Sequence, residues 1–397
     1  MTIQLSTITF TDEDDIVPLF EEDAIVNTDT ANTLGGNDLI TGTTITGSDN
    51  FGIWNSGTIN TGAGHDIIIG ICDENHPWIP NGGIRSDGGT INTDDGNDII
   101  IGTSQAYDGI FIISRATINT GDGNDQIIGS AIGSGIDVNS ESIIDTGNGN
   151  DAITGIGSYG VSNYFIINTG DGNDKITGIG TFRSDYGIVN SGTMDTGAGN
   201  DEITGTSATR GISTSSDSII DTGDGNDKIT GIGTSGRDYG IVNSGTMATG
   251  AGNDEITGTS PSGGISNGLN SLIDTGDGND EITGTGSTGI SNNGTIKTGN
   301  GQDSIIAEGG FHDNGRVFLE DGKDYLKGFG TGTFNGGDDQ DILELTSGSY
   351  SFWTSAVGGI FIKNNITMYI VGFEKLIAGD TTYDFTSLTN GQTIVVP

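Results

Sequence analysis

Eleven aspartates return along this chain at nearly even intervals, and each closes the same short phrase. The phrase is clearest at Thr169-Gly-Asp-Gly-Asn-Asp-Lys-Ile-Thr177, which reads T-G-x-G-N-D-x-I-x. Thr222 to Thr230 repeats it letter for letter, and Thr196 to Thr204 and Thr249 to Thr257 are close variants. The final Asp is Asp38, Asp66, Asp98, Asp125, Asp151, Asp174, Asp201, Asp227, Asp254, Asp280 and Asp303, spaced by about 23 to 32 residues, mostly about 26. That period belongs to solenoids, whose repeats bury their apolar faces only by stacking. Each repeat holds three strand-like pieces. Asp-x-Ile-Thr-Gly follows the phrase, Gly-Ile-x-Asn comes next (Gly52, Gly187, Gly240, Gly264, Gly289), then Thr-Ile/Met-x-Thr (Thr58, Thr117, Thr193, Thr246, Thr295). Isoleucine alternates inward at period two. The expected fold is all-β: a right-handed parallel β-helix or β-roll solenoid of about 11 coils of ~26 residues, capped at both ends.

Two glycines flanking one residue let the backbone double back where a side chain would clash. Such a loop aims carbonyl oxygens inward, and the Asp closes the cage. Calcium takes this kind of site, with six to eight hard oxygen ligands and tolerance of irregular geometry. The candidate metal-site glycines are Gly62 and Gly64, Gly96, Gly121 and Gly123, Gly147 and Gly149, Gly170 and Gly172, and Gly197 and Gly199. They continue as Gly223 and Gly225, Gly250 and Gly252, Gly276 and Gly278, and Gly299 and Gly301. Asp171, Asp224 and Asp277, between the glycines, are further candidates beside the eleven closing aspartates. So are Asp324 and Asp341, in shortened turns near the end.

These loops resemble the RTX (hemolysin-type calcium-binding) nonapeptide G-G-x-G-x-D-x-U-x. The resemblance implies stacked loops of a parallel β-roll holding Ca2+ between successive coils, roughly one ion per interval, through the Asp and loop carbonyls. Gly170, Gly172, Asp174 and Ile176 match the pattern, and the likeness covers about three quarters of the chain. The departures are a Thr in place of the first Gly, from Thr33 to Thr298, and one loop per coil instead of tandem loops. Leu34 and Asp94 replace glycines, and His65 and Gln302 replace the Asn.

Composition limits the partners. With 54 acidic and 13 basic residues the net charge is −41, a poor match for nucleic acid or anionic membrane. Seventy-two glycines and 31% hydrophobic residues leave material only for a narrow core. The one cysteine, Cys72, excludes an intrachain disulfide framework, and no run approaches the ~18 apolar residues of a membrane span. Met1 to Asp15 lacks the basic start and apolar core of a Sec-type signal peptide. The RTX resemblance implies export by a type I system reading a C-terminal signal, hence a secreted or cell-surface protein.

The expected organisation is an N-terminal cap (1–30), the calcium-binding repeats (31–308), degenerate final turns (309–346), and a C-terminal β cap with a secretion signal (347–397). The last resembles tails of cyanobacterial RTX-like proteins. Asn55, Asn163, Asn190, Asn243, Asn267 and Asn292 share one coil position and read as a structural amide ladder. The residues after the Asp (Lys175, Glu202, Lys228, Glu255, Glu281) are expected to adjoin across coils and set register. The insert Cys72 to Asn81 gathers Cys, Asp, Glu and His but matches no zinc spacing, so a plain corner loop is expected. No H-E-x-x-H or G-x-S-x-G occurs.

Three functions compete. The first is a calcium-binding structural protein acting on surface or matrix polysaccharide or protein. The second is a calcium-dependent ice binder, for which Thr154, Thr177, Thr204, Thr230, Thr257 and Thr283 form one column, beside a mixed Ile/Thr column. The third, a carbohydrate-active enzyme, lacks any catalytic constellation.

Overall fold

In each coil the chain bends three times, and each straight piece becomes one strand in each of three parallel sheets. The computed structural model describes residues 2–17, 23–44, 51–73, 82–182, 185–236, 238–356 and 358–397. Contacts group these into two units, Met1–Gly211 and Ile212–Pro397. Each unit is a parallel β-solenoid.

In the first unit one coil runs Ile67–Cys72, Gly82–Asp87 and Thr90–Asn92, and the next Ile99–Ser104, Asp108–Ile113 and Thr117–Asn119. Like residue stacks on like: Ile68 on Ile100, Ile84 on Ile110, Ile91 on Ile118. All six are 0% exposed. The second unit repeats this with Ile229, Ile241 and Met247 beneath Ile256, Ile265 and Ile273. Each such side chain contributes roughly 1.5–3 kcal/mol of burial. Two walls of the core touch backbone to backbone. A Cβ on Gly102 in the first sheet would lie 2.1 Å from the carbonyl oxygen of Gly109 in the second. Much of the glycine content therefore serves wall-to-wall packing.

The asparagine column lies at the end of the second sheet and is buried. Asn27 Nδ2 donates to Asn55 Oδ1 (2.9 Å), Asn163 to Asn190 (2.8 Å), and Asn243 to Asn267 and Asn267 to Asn292 (2.9 Å each). Lys175 pairs with Glu202 at 2.7 Å and Lys228 with Glu255 at 2.6 Å, while Glu255 also stands beside Glu281.

Near the N-terminus, Thr2–Gln4 pairs with Ala24–Asn27 and Ile16–Val17 with Leu39–Thr44, so these residues extend the sheets as an irregular coil. At the other end the second sheet stops at Phe311–His312. The first sheet goes on through Tyr325–Lys327, Ile342–Leu345 and Lys375–Ala378. The third goes on through Gly332–Asn335 to Ile366–Val371. Gly348–Thr354, Gly359–Lys363 and Gln392–Val396 add antiparallel pairings. Cys72 is buried at a strand end, and residues 74–81 of the insert lie outside the described residues.

Candidate metal-binding edge

Each of the eleven repeat loops opens with a buried threonine, and in Thr33 the hydroxyl donates to the carbonyl of Thr61 in the next coil at 2.7 Å. The second position is left-handed, as at Gly170 (φ 81°). The fourth is closed by its neighbour: a Cβ on Gly123 would lie 1.4 Å from the carbonyl oxygen of Gly96. Four loops hold a non-glycine in the left-handed region: Leu34 (φ 77°), Asp94 (57°), Glu320 (72°) and Asp339 (81°).

The closing aspartates form a ladder. The backbone N–H of Asp38 donates to Asp66 Oδ1 (2.7 Å), Asp66 to Asp98 (2.8 Å), Asp98 to Asp125 (2.7 Å), Asp125 to Asp151 (2.8 Å), Asp151 to Asp174 (2.8 Å) and Asp174 to Asp201 (2.7 Å). In the second unit the ladder runs Asp227 to Asp254 (2.8 Å), Asp280 (2.9 Å), Asp303 (2.9 Å), Asp324 (2.8 Å) and Asp341 (2.9 Å). The Asp341 N–H then donates to Glu374 Oε2 at 2.9 Å. The two shortened turns thus keep their place, and a glutamate from the C-terminal region supplies the last acceptor.

The other oxygen has no such partner. Oδ2 of Asp38, Asp66, Asp98, Asp125, Asp151 and Asp174, and of Asp254, Asp280, Asp303, Asp324 and Asp341, is buried without a hydrogen bond. The Thr93 hydroxyl lies beside Asp98, where it favours the charged carboxylate, and stands 3.2 Å from the carbonyl of Thr120. Burial pushes the Asp98, Asp174, Asp280 and Asp324 carboxyls up to about 7, and those of Asp151, Asp303 and Asp341 to about 6, against the pull of the amide hydrogen bond. A buried row of this kind must be neutralised by protons or by cations.

A second ladder runs the opposite way on the solvent side. The N–H of Asn124 donates to Asn97 Oδ1 (2.7 Å), Asn150 to Asn124 (2.8 Å) and Asn173 to Asn150 (2.8 Å). His65 fits this column because its Nδ1 accepts the N–H of Asn97 at 2.8 Å. Gln302 donates its N–H to Asn279 at 2.8 Å.

Asp171, Asp224 and Asp277 stand apart, exposed on the rim. Their backbone matters: the carbonyls of Asp171 and Asp277 accept the N–H of Gly149 and Gly252, each at 2.8 Å. Among the described residues no three His, Cys, Asp or Glu side chains converge as a metal cluster. An ion at this edge would rest on one carboxylate per loop plus the carbonyls of the second- and fourth-position glycines, shared between consecutive loops. That donor set is oxygen alone. It fits a hard cation such as calcium, whose charge would neutralise the buried oxygens. The sequence marked these aspartates, but gave no sign that half of each carboxylate serves the preceding coil.

The class so defined is a parallel β-solenoid with a buried aspartate at the same corner of successive coils. No family model matches the chain, and no curated protein matches it. Among solved structures it is similar to a hyperactive, Ca2+-dependent, β-helical antifreeze protein from an Antarctic bacterium. That match is 17% identical, covers 96% of this chain and 80% of the other, and has a TM-score of 0.41. A likeness so loose says nothing about function.

Proposed function

We propose that this chain is a non-catalytic calcium-binding β-solenoid that folds on calcium, is exported by a type I route, and acts at a cell surface or in an extracellular matrix. The observation that supports it most is the row of buried, unpartnered Oδ2 atoms. Without cations these charges, about 5 Å apart from coil to coil, repel one another in a poorly solvated edge. The narrow isoleucine core must then offset both that repulsion and the chain entropy. Binding free energy becomes largely folding free energy. Circular dichroism in EDTA and then in millimolar calcium tests the proposal. Most of the strand signal should be lost in low-salt EDTA and return with calcium, and a full β spectrum in EDTA would sink it.

Ice binding is the second reading, and one feature favours it. On the outer face of the third sheet in the first unit, Thr30, Thr58, Thr90 and Thr117 form one column and Asn32, Asn60, Asn92 and Asn119 the next, lining a shallow trough. Asn92 Nδ2 donates to Asn60 Oδ1 (2.9 Å) and Asn119 to Asn92 (2.8 Å), which fixes the amides in rank. The threonine column ends where Ile143 follows Thr117, much as the Thr154, Thr177 and Thr204 column begins after Ile128. A thermal-hysteresis assay on the calcium-loaded chain separates the two readings.

A further inference from the structure

The second sheet has its last strand at Phe311–His312 while the other two continue, and only a single parallel bridge from Phe311 to Gly330, with the Phe311 N–H on the carbonyl of Phe329 at 3.0 Å, carries that wall further. Beside that bridge is a cleft of about 540 Å³. Its accessible apolar lining comes mainly from Ile366, 40% exposed, since Phe311 and Phe329 are buried against Phe334 and Tyr350, and hydroxyl-bearing Thr331 and Thr346 stand at its sides. A hairpin from Gly359–Lys363 to Ile366–Val371 closes it, turned through Asn364 (φ 51°) and Asn365 (φ 64°), the left-handed pair of a tight two-residue turn.

That hairpin places Lys363 in the cleft. Its Nζ donates to the carbonyl of Ser347 (2.7 Å) and to Tyr350 Oη (3.3 Å), and lies 4.9 Å from the Tyr350 ring centroid and 5.9 Å from that of Phe329. Tyr350 spends its own proton on the carbonyl of Thr346 at 2.6 Å, so it accepts from the lysine. Two of the three ammonium donors are thereby used on neutral oxygens, and one remains. Lys175, Lys228, Lys297, Lys327 and Lys375 each hold a carboxylate, but Lys363, like Lys323, does not. In a chain of net charge −41, an ammonium without a carboxylate in a half-enclosed cleft is out of keeping with its surroundings.

We infer that this cleft binds an acidic saccharide, a uronic-acid residue whose carboxylate meets Lys363. A pyranose has an apolar C–H face for Ile366 and hydroxyls for Thr331, Thr346 and His312. The carboxylate supplies the charge-assisted bond that Lys363 lacks. This gives the matrix role proposed above a ligand class, and it stands on residues apart from the aspartate edge.

Isothermal titration of the full chain in calcium, using digalacturonate, neutral galactobiose and acetate, tests the inference. Digalacturonate should bind, and galactobiose about tenfold more weakly or worse, the usual size of a lost charge-assisted hydrogen bond. Lys363→Gln should lose about tenfold or more and Lys363→Arg should keep most of the affinity. Thr331→Trp, which fills the cleft and leaves the lysine in place, should abolish binding, with melting temperature confirming the fold of every variant. Wild-type affinity in Lys363→Gln or Thr331→Trp would overturn the site and point instead to sugar held through calcium on the aspartate edge. No binding of digalacturonate would overturn it as well, and acetate binding equally well would overturn the saccharide assignment. A failure of calcium-driven folding would show in the circular dichroism spectrum, independently of these titrations.

Discussion

Each closing aspartate does two jobs with two oxygens, and substitution can separate them. At position 125, Oδ1 accepts the N–H of Asp98 at 2.7 Å while Oδ2 is buried without a partner. Asp125→Asn keeps an acceptor for the amide and removes the buried charge, whereas Asp125→Ala removes both. In calcium, both variants should lower the ion stoichiometry measured by titration. In EDTA, Asp125→Asn should hold more strand structure than wild type, and Asp125→Ala less than Asp125→Asn by about 1–3 kcal/mol, the cost of an orphaned amide. A second buried acid lies away from this edge. Asp137 sits on the second sheet with a buried, unpartnered Oδ1, and its carboxyl is pushed up to about 7, mainly by burial and further by Asp108. Because the folded state holds this proton more tightly than the unfolded state, its stabilising effect is complete below about pH 4 and is lost as pH rises through about 7. Asp137→Asn should therefore raise the melting temperature at about pH 8 and leave it nearly unchanged at about pH 4, measured in constant calcium.

At the scale of the loop and the strand, backbone conformation and register decide stability. Leu34 takes the left-handed position that glycine holds elsewhere, at φ 77°, and is 47% exposed. That conformation costs a non-glycine about 1–2 kcal/mol, more than the ~0.5–1 kcal/mol of entropy that glycine adds, and little burial is lost. Leu34→Gly should stabilise the first unit by about 0.5–1 kcal/mol in thermal melts. The Lys175–Glu202 and Lys228–Glu255 pairs are exposed, so each is worth at most a few tenths of a kcal/mol to about 1 kcal/mol. Replacing both lysines by glutamate sets like charges side by side in each unit, and should lower the melting temperature by a few degrees at low salt. Added salt should recover part of the loss. Wild-type melting at low salt would show that the side chains do not meet.

For the whole molecule, a net charge of −41 weighs against folding. Self-repulsion of that size opposes any compact state, and mobile ions screen it only in part. In EDTA, raising sodium chloride from low to high concentration should recover a fraction of the strand signal. In saturating calcium the same change should alter it little, since buried sites are screened far less than exposed charge.

The sequence by itself determined the solenoid, the three strands of each coil and the corner at which Asp66, Asp125 or Asp280 stands. Those signals are local and recur with the coil, so every repeat states them again. Its Lys–Glu neighbours and asparagine ladder also follow from the period, because stacking sets equivalent positions side by side. The tertiary structure alone decided what depends on the contact between one coil and the next. It gave Oδ1 of Asp66, Asp125 and Asp303 to a neighbouring amide and left their Oδ2 without a hydrogen bond. It fitted His65 into an asparagine column through Nδ1, and it brought Glu374 to the end of the ladder some 33 residues beyond Asp341. It also ended the second sheet at His312 while its neighbours ran on, opening the cleft that Lys363 enters. No local pattern encodes where a sheet ends, because that is settled by how the following coil packs against its last strand.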